Sequence, residues 1–195
     1  MKSSKYLVEM FNRSIQNKKA FIDNVENHNK FEVAVDMIVS MYENGGSLYL
    51  AGNGGSAADA QHVAAELVCR FKTDRPALAA ESFAVDPSTV TAIGNDYGFD
   101  QIFARQVEAK LTSKDIFFAI STSGASPNII NGLKATKSKN GRSILLAGNK
   151  GGAGASIADL LIVADGENAG EIQELHLVIE HALCAAVESR LFNIT

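Results

Sequence analysis

Ser47-Leu48-Tyr49-Leu50-Ala51-Gly52-Asn53-Gly54-Gly55-Ser56 decides the fold of this chain. The almost wholly apolar run from Ser47 to Ala51, bounded by glycines, fits a central strand of a parallel sheet, buried on both faces. The turn Gly52 to Gly55 carries almost no side chain, which leaves backbone amides open to an anion. A helical pattern opens at Ser56. Strand, glycine turn and helix in that order form the first unit of an α/β domain.

The same unit recurs downstream. Leu78 to Val85, closed by Asp86 and Pro87, reads as a strand, as do Asp115 to Ser121, Ser143 to Ala147 and Leu160 to Ala164. Helical patterns run from Ser56 to about Phe71, Thr89 to Gly94, Asp100 to Leu111, Pro127 to about Asn140, Ser156 to Ala158 and Asn168 to Phe192. Pro127 suits a first helical turn, and Asn140 with Gly141 a stop. Strands alternating with helices through short glycine-rich turns specify a doubly wound, mostly parallel sheet with helices on both faces, a flavodoxin-like sandwich. Ligands of such sheets bind beyond the carboxyl ends of the strands.

Two helices precede the first strand. Tyr6, Leu7, Met10, Phe11, Ile15 and Phe21 recur at helical intervals between Ser4 and about Asn27. Lys30 to Glu43 follows, with Phe31, Val35, Ile38 and Met41 or Tyr42 inward, until Asn44, Gly45 and Gly46 stop it. Residues 1–45 thus form a helical extension of a 46–195 core within one domain of 195 residues. One of these helices exceeds what a single α/β layer needs and is expected to pack on another subunit.

Apolar residues make up 46% of the chain and charged residues 21%, enough for a full core. The 18 Lys and Arg stand against 22 Asp and Glu, a net charge of -4 without any basic block, which argues against nucleic acid or an anionic membrane as partner. Cys69 and Cys184 fall inside apolar helical patterns, outside any metal-type spacing, and read as reduced core thiols. No apolar run reaches the roughly 18 residues of a membrane span, and the amino terminus alternates charged and apolar residues. The expectation is a soluble cytoplasmic protein.

Gly52 to Ala57 also reads as G-x-G-x-x-A, the relaxed dinucleotide fingerprint. Its acidic ribose partner is missing: Asp74 has the distance but sits beside Arg75 and Pro76, and Asp86 lies too late. Ser121, Thr122, Ser123 and Ser126, at the mouth of another strand and the start of its helix, separate the readings. Hydroxyls with free amides at a helix amino terminus suit a compact phosphate dianion; Ser126 can equally serve as an N-cap.

His62 and Glu66, four apart, share one helix face a turn or two beyond the glycine turn. On the last helix, Gln173 and His181 lie eight residues apart, about 80° around the axis and about 12 Å along it. Two histidines, a glutamate and a glutamine suit either a borderline metal such as zinc or an acid/base pair for proton transfer beside a carbonyl.

These motifs together resemble the sugar isomerase (SIS) domain family, and within it the phosphoheptose isomerases. The resemblance rests on Gly52 to Ser56, Asp59 to His62, Glu66, Arg70, Gly94 to Asp96, Ser121 to Gly124, Ile172 to Glu174 and His181. It implies an aldose–ketose isomerase converting sedoheptulose 7-phosphate to D-glycero-D-manno-heptose 7-phosphate for a bacterial surface polysaccharide, without a nucleotide cofactor. It makes Glu66 the general base and His181 the acid. Asn53, Gly54, Ser56, Asp96, Ser121, Thr122, Ser123, Ser126 and Gln173 would hold the sugar phosphate. In some members the residues matching His62, Glu66, Gln173 and His181 bind zinc, one ion per subunit, and the implied assembly is a homotetramer with sites at subunit interfaces. The chain departs from the family at Glu171, where relatives commonly place an arginine before the Ile-Gln-Glu run. The family also includes noncatalytic regulators and a replication-initiator adaptor; the adaptors lack the glutamate that stands here at position 66.

Overall fold

The computed structural model describes residues 3–194. Helices α1 (Ser4–Asp23) and α2 (Val25–Glu43) lead into β1 (Leu48–Gly52), α3 (Gly55–Val68), β2 (Ala80–Ser82), α4 (Pro87–Tyr97) and α5 (Ile102–Lys110). Next come β3 (Ile116–Ser121), α6 (Pro127–Ser138), β4 (Arg142–Gly148), β5 (Leu160–Ala164) and α7 (Ala169–Phe192). The five strands are all parallel, in the order β2-β1-β3-β4-β5. The doubly wound sheet is therefore the one the sequence predicts.

Alternation along each strand sorts its side chains into two cores, because successive residues point to opposite faces. Ile116, Phe118 and Ile120 join Leu48, Leu50, Ile144 and Ile162 beneath α2, α3 and α7. Phe117 and Ala119 join Ala51, Leu145 and Ala147 beneath α5 and α6, with Phe103, Val107, Ile129 and Leu133. Both faces are covered, so the strands carry no polar alternation. Because β2 and β3 flank β1 on opposite sides, the chain reverses there, and the crevice for a ligand opens between the turns that follow β1 and β3.

Several boundaries move. The predicted strand over Leu78 to Val85 shrinks to three residues at the sheet edge. Asp86 takes over beyond it, its carboxylate accepting the Ser88 and Thr89 amides to start α4 with Pro87 in the first turn. The first two helices break at Asn24, whose extended backbone and side chain cap α2 through the Glu26 amide at 3.0 Å. Helix α3 stops at Val68, so Cys69 is exposed and only Cys184 is a core thiol.

Of the two leading helices, α1 is the one that stays outside the core: its apolar Tyr6, Leu7, Met10, Phe11 and Ile15 are 60–71% exposed, and Ser14 is the buried residue of the helix. The polar side does the docking instead. Arg13 pairs with Glu167 and Glu171, Ser14 and Lys18 each donate to Glu174 at 2.6 Å, and Asn17 donates to Glu171. Helix α2, by contrast, inserts Ala34, Val35, Ile38, Val39 and Met41 and is a layer of the core.

Candidate active site

The two turns at the crevice are glycine turns for steric reasons. Gly54, at the start of α3, has φ +55°, a region that L side chains rarely adopt. A Cβ on Gly52 would meet the Ser56 carbonyl at 2.3 Å, and one on Gly55 would meet the Gln173 amide at 2.3 Å. Gly124, in the turn after β3, has φ +59° and abuts the Gly151 carbonyl at 2.1 Å from an added Cβ, so the β3 turn is braced by the turn after β4. The Gly124 carbonyl also accepts the Gly154 amide at 2.9 Å.

Asn53 and Asn128 join the two turns. Each side-chain amide donates to the other's carbonyl, at 2.9 and 2.8 Å, and Asn128 is buried in the first turn of α6. Sequence reasoning missed Asn128, whose one signal is its place directly after Pro127. The hydroxyls divide. Ser121 is buried and accepts the Gly124 amide at 3.1 Å, and Ser123 accepts the Ala125 amide, so both shape the turn. Ser126 caps α6 without a side-chain hydrogen bond, which keeps its hydroxyl available. Ser56 is buried in the first turn of α3, and Thr122 is partly exposed.

Helices α3 and α7 lie side by side in the same direction. Gly55 and Asp59 meet Gln173, then His62 meets His181, then the segment after α3 meets Glu188. Alanines at 57, 58, 60, 64 and 65 favour the α3 helix and keep its flank thin enough for this approach. The eight-residue spacing on α7 thus places Gln173 at the glycine turn and His181 at the middle of α3. His62 Nε2 and His181 Nε2 are 2.7 Å apart, which requires one nitrogen to donate and the other to accept. Glu66 stands 3.7 Å from the same His62 nitrogen with its side chain 24% exposed. The Phe71 ring stacks on His181, with centroids 5.6 Å apart and planes 29° apart.

Buried acids surround this group. Asp59 is 7% exposed; burial raises its pKa, partly offset by a hydrogen bond from Gln173, and its Oδ2 has no partner. Glu180 is 1% exposed with both oxygens unpartnered, and burial, with the nearby Asp59 charge, pushes it up to about 8. His176 is fully buried, which pushes its pKa down to about 4 and keeps it neutral. Glu188, 2% exposed, is opposite in character. Burial alone would raise its pKa, but amide hydrogen bonds from Phe71, Thr73 and Lys72 and the Arg75 guanidinium outweigh that and hold it low.

Two predicted residues stand apart. Asp96 is exposed in the last turn of α4, and its carboxylate takes the neighbouring Asn95 amide rather than a group near Glu66 or His181. Glu171, the departure from the family pattern, turns toward α1, where it meets Arg13 and Asn17 and closes the first turn of α7 with Asn168. Two imidazoles, a carboxylate and a carboxamide match zinc in donor chemistry. Of these, the two Nε2 atoms face each other; among the described residues no three of His, Cys, Asp and Glu are gathered closely enough to hold an ion.

Comparison with known proteins agrees with this geometry. The SIS domain pattern matches residues 11–148. The phosphoheptose isomerase of Sulfurimonas denitrificans is 43% identical over 189 residues, 97% of each chain. The solved phosphoheptose isomerase of Francisella tularensis superposes with a TM-score of 0.92 at 35% identity, over 97% of this chain and 100% of that one. That of Neisseria gonorrhoeae gives 0.89 at 36% identity, over 96% and 100%. The matched pattern, the identity and the superposed fold give one conclusion: the chain belongs to the SIS domain family and, within it, to the phosphoheptose isomerases.

Proposed function

We propose that this protein is an aldose–ketose isomerase that converts sedoheptulose 7-phosphate to D-glycero-D-manno-heptose 7-phosphate, supplying heptose for a surface polysaccharide. The observation that carries the chemistry is the carboxylate of Glu66 beside the His62–His181 pair where α3 and α7 lie side by side. Phosphate is held at the amino-terminal ends of α3 and α6 by Ser56, Ser121, Thr122, Ser123 and Ser126, where free amides and the helix dipole favour an anion. Asn53, Gly54, Gln173 and Asp96 serve the sugar; Asp96 does so from a place distant in contact from the others.

Glu66 takes a proton from C1, beside the C2 carbonyl, and the C–H electron pair becomes the C1–C2 double bond. The carbonyl oxygen receives a proton from His181, giving the enediol. The O1 proton then returns to His181 as the C1 carbonyl forms, and Glu66 delivers its proton to C2. Nothing is oxidised or reduced overall, so the reaction needs no nicotinamide. His62 hydrogen-bonds His181 through Nε2 and so holds the imidazole of the acid in place.

His62, Glu66, Gln173 and His181 would hold a zinc ion, which when bound supplies a Lewis acid for the sugar oxygens. Metal analysis of the purified protein tests this directly, with one zinc per subunit expected. The exposed stripe of Tyr6, Leu7, Met10, Phe11 and Ile15 supports a homotetramer built on α1; light scattering showing a monomer at every concentration would refute it. The activity itself is tested by proton NMR of sedoheptulose 7-phosphate in deuterated water. The heptose aldehyde form should appear with deuterium at C2, and a substrate left unchanged would sink the assignment.

A further inference from the structure

We infer that the buried Arg75–Glu188 pair is a positioning device that sets Glu66 and His181 against one another, with Phe71 as its aromatic arm. The inference rests on the isomerase reading and extends it to residues outside the reacting group.

Arg75 stands where three parts of the molecule meet. Its Nη2 donates to the main-chain carbonyl of Glu66 at 2.9 Å, and Nη1 to that of Leu67 at 2.6 Å, so it caps the last turn of α3 from the side. A cation there also meets the negative end of the helix dipole. Its Nε donates to Glu188 Oε2 at 3.1 Å, and both side chains are 2% exposed. The Glu188 carboxylate in turn accepts the Phe71, Lys72 and Thr73 amides at 3.0, 3.0 and 2.9 Å. Glu188 follows His181 by seven residues, which returns it to the same stripe of α7, about 10 Å further along the axis.

One ion pair therefore fixes the backbone of the base, the helix of the acid and the segment carrying the ring that stacks on the acid. A fork with several directed donors, matched by a carboxylate with all its acceptor sites used, defines a geometry and not merely an attraction. Return of the enediol to the ketose only reverses the first step, with each proton going back where it came from, whereas forward collapse to the aldose needs His181 to move a proton from one oxygen to the other. Loosening the clamp must then slow product formation more than carbon-proton exchange.

The test uses the full chain with sedoheptulose 7-phosphate in deuterated water. NMR follows two quantities, deuterium entering the recovered ketose and aldose formed. For Glu188→Gln and Arg75→Lys, kcat should fall about tenfold to a hundredfold with KM little changed, and the ratio of exchange to product should rise several-fold. Phe71→Leu, which leaves the ion pair in place, should raise the same ratio. Loss of folded protein lowers both quantities together and leaves the ratio alone, so a purely structural role gives slower turnover at the wild-type ratio. That wild-type ratio in all three variants would overturn the inference. Absence of both exchange and product in the unaltered protein would instead remove the isomerase reading.

Discussion

Glu180 and Glu188 lie eight residues apart on α7 and are 1% and 2% exposed, yet they are opposite acids. Glu188 accepts three backbone amides and the Arg75 guanidinium, and remains ionised. Neither oxygen of Glu180 has a partner, and burial beside Asp59 pushes its pKa up to about 8, so at neutral pH it is held mainly as the acid. Depth does not decide the charge of a buried carboxylate; its hydrogen-bond donors do. The ionised glutamate ties helices together, while the protonated one sits directly before His181 as a cost carried in the core.

The comparison is broken first by removing the anchor. Glu188→Ala leaves Arg75 charged and unpaired in the interior and should cost about 3–5 kcal/mol of stability, read from urea unfolding; a loss below about 1 kcal/mol would make Glu188 no different from an ordinary buried side chain.

The second variant acts on Glu180. Its folded pKa of about 8 exceeds the ordinary 4.5, so the folded state keeps a proton that the unfolded chain releases. The stability this provides is fully present below pH 4.5 and is lost as pH rises through 8. Glu180→Gln removes that dependence. It should leave stability almost unchanged near pH 4 and raise it by several kcal/mol above pH 8, on the order of 1.4 kcal/mol per pH unit between. Thermal unfolding of both proteins from pH 4 to pH 9 measures the difference; parallel curves would mean that Glu180 is ionised in the fold.

His176 supplies a smaller contrast with the opposite sign. Its folded pKa of about 4 lies below the ordinary 6.5, so its stabilisation is present above 6.5 and is lost as pH falls toward 4. His176→Gln should flatten the acid limb of the same stability profile. Smallest is Asn128→Ala, where neutral partners replace charges: unpairing Asn53 should cost about 1 kcal/mol, with a rise in KM for the sugar phosphate if the joined turns shape its cradle.

How much of this was legible in the sequence follows the range of the interactions. The five strands announce themselves because sheets covered on both faces need unbroken apolar runs, as at Ile116 to Ile120. Glycine turns are legible because only glycine fits beside Ser56 and Gly151. The edge strand shrinks because the Asp86 cap competes with it, and the polar docking of α1 is not legible because its partners lie far off in sequence, Glu171 154 residues from Asn17 and Glu174 156 residues from Lys18. In the candidate site, His62, Glu66 and His181 are recognisable as chemistry, but their convergence depends on α3 and α7 lying alongside each other. Arg75 and Glu188 carried no signal at all, since 113 residues separate them. Glu180 did leave one: it follows three apolar residues, Leu177 to Ile179, and stands four residues after His176 on the same face of the helix.

Above these contrasts stands the claim that Glu66 is the carboxylate which moves the proton. Glu66→Gln keeps the size and the surroundings of the side chain and removes only its basicity. Incubated with sedoheptulose 7-phosphate in deuterated water, the folded variant should show neither deuterium at C1 of the ketose nor aldose product, while the unaltered protein shows both. Turnover in Glu66→Gln at the rate of the unaltered protein would contradict the account.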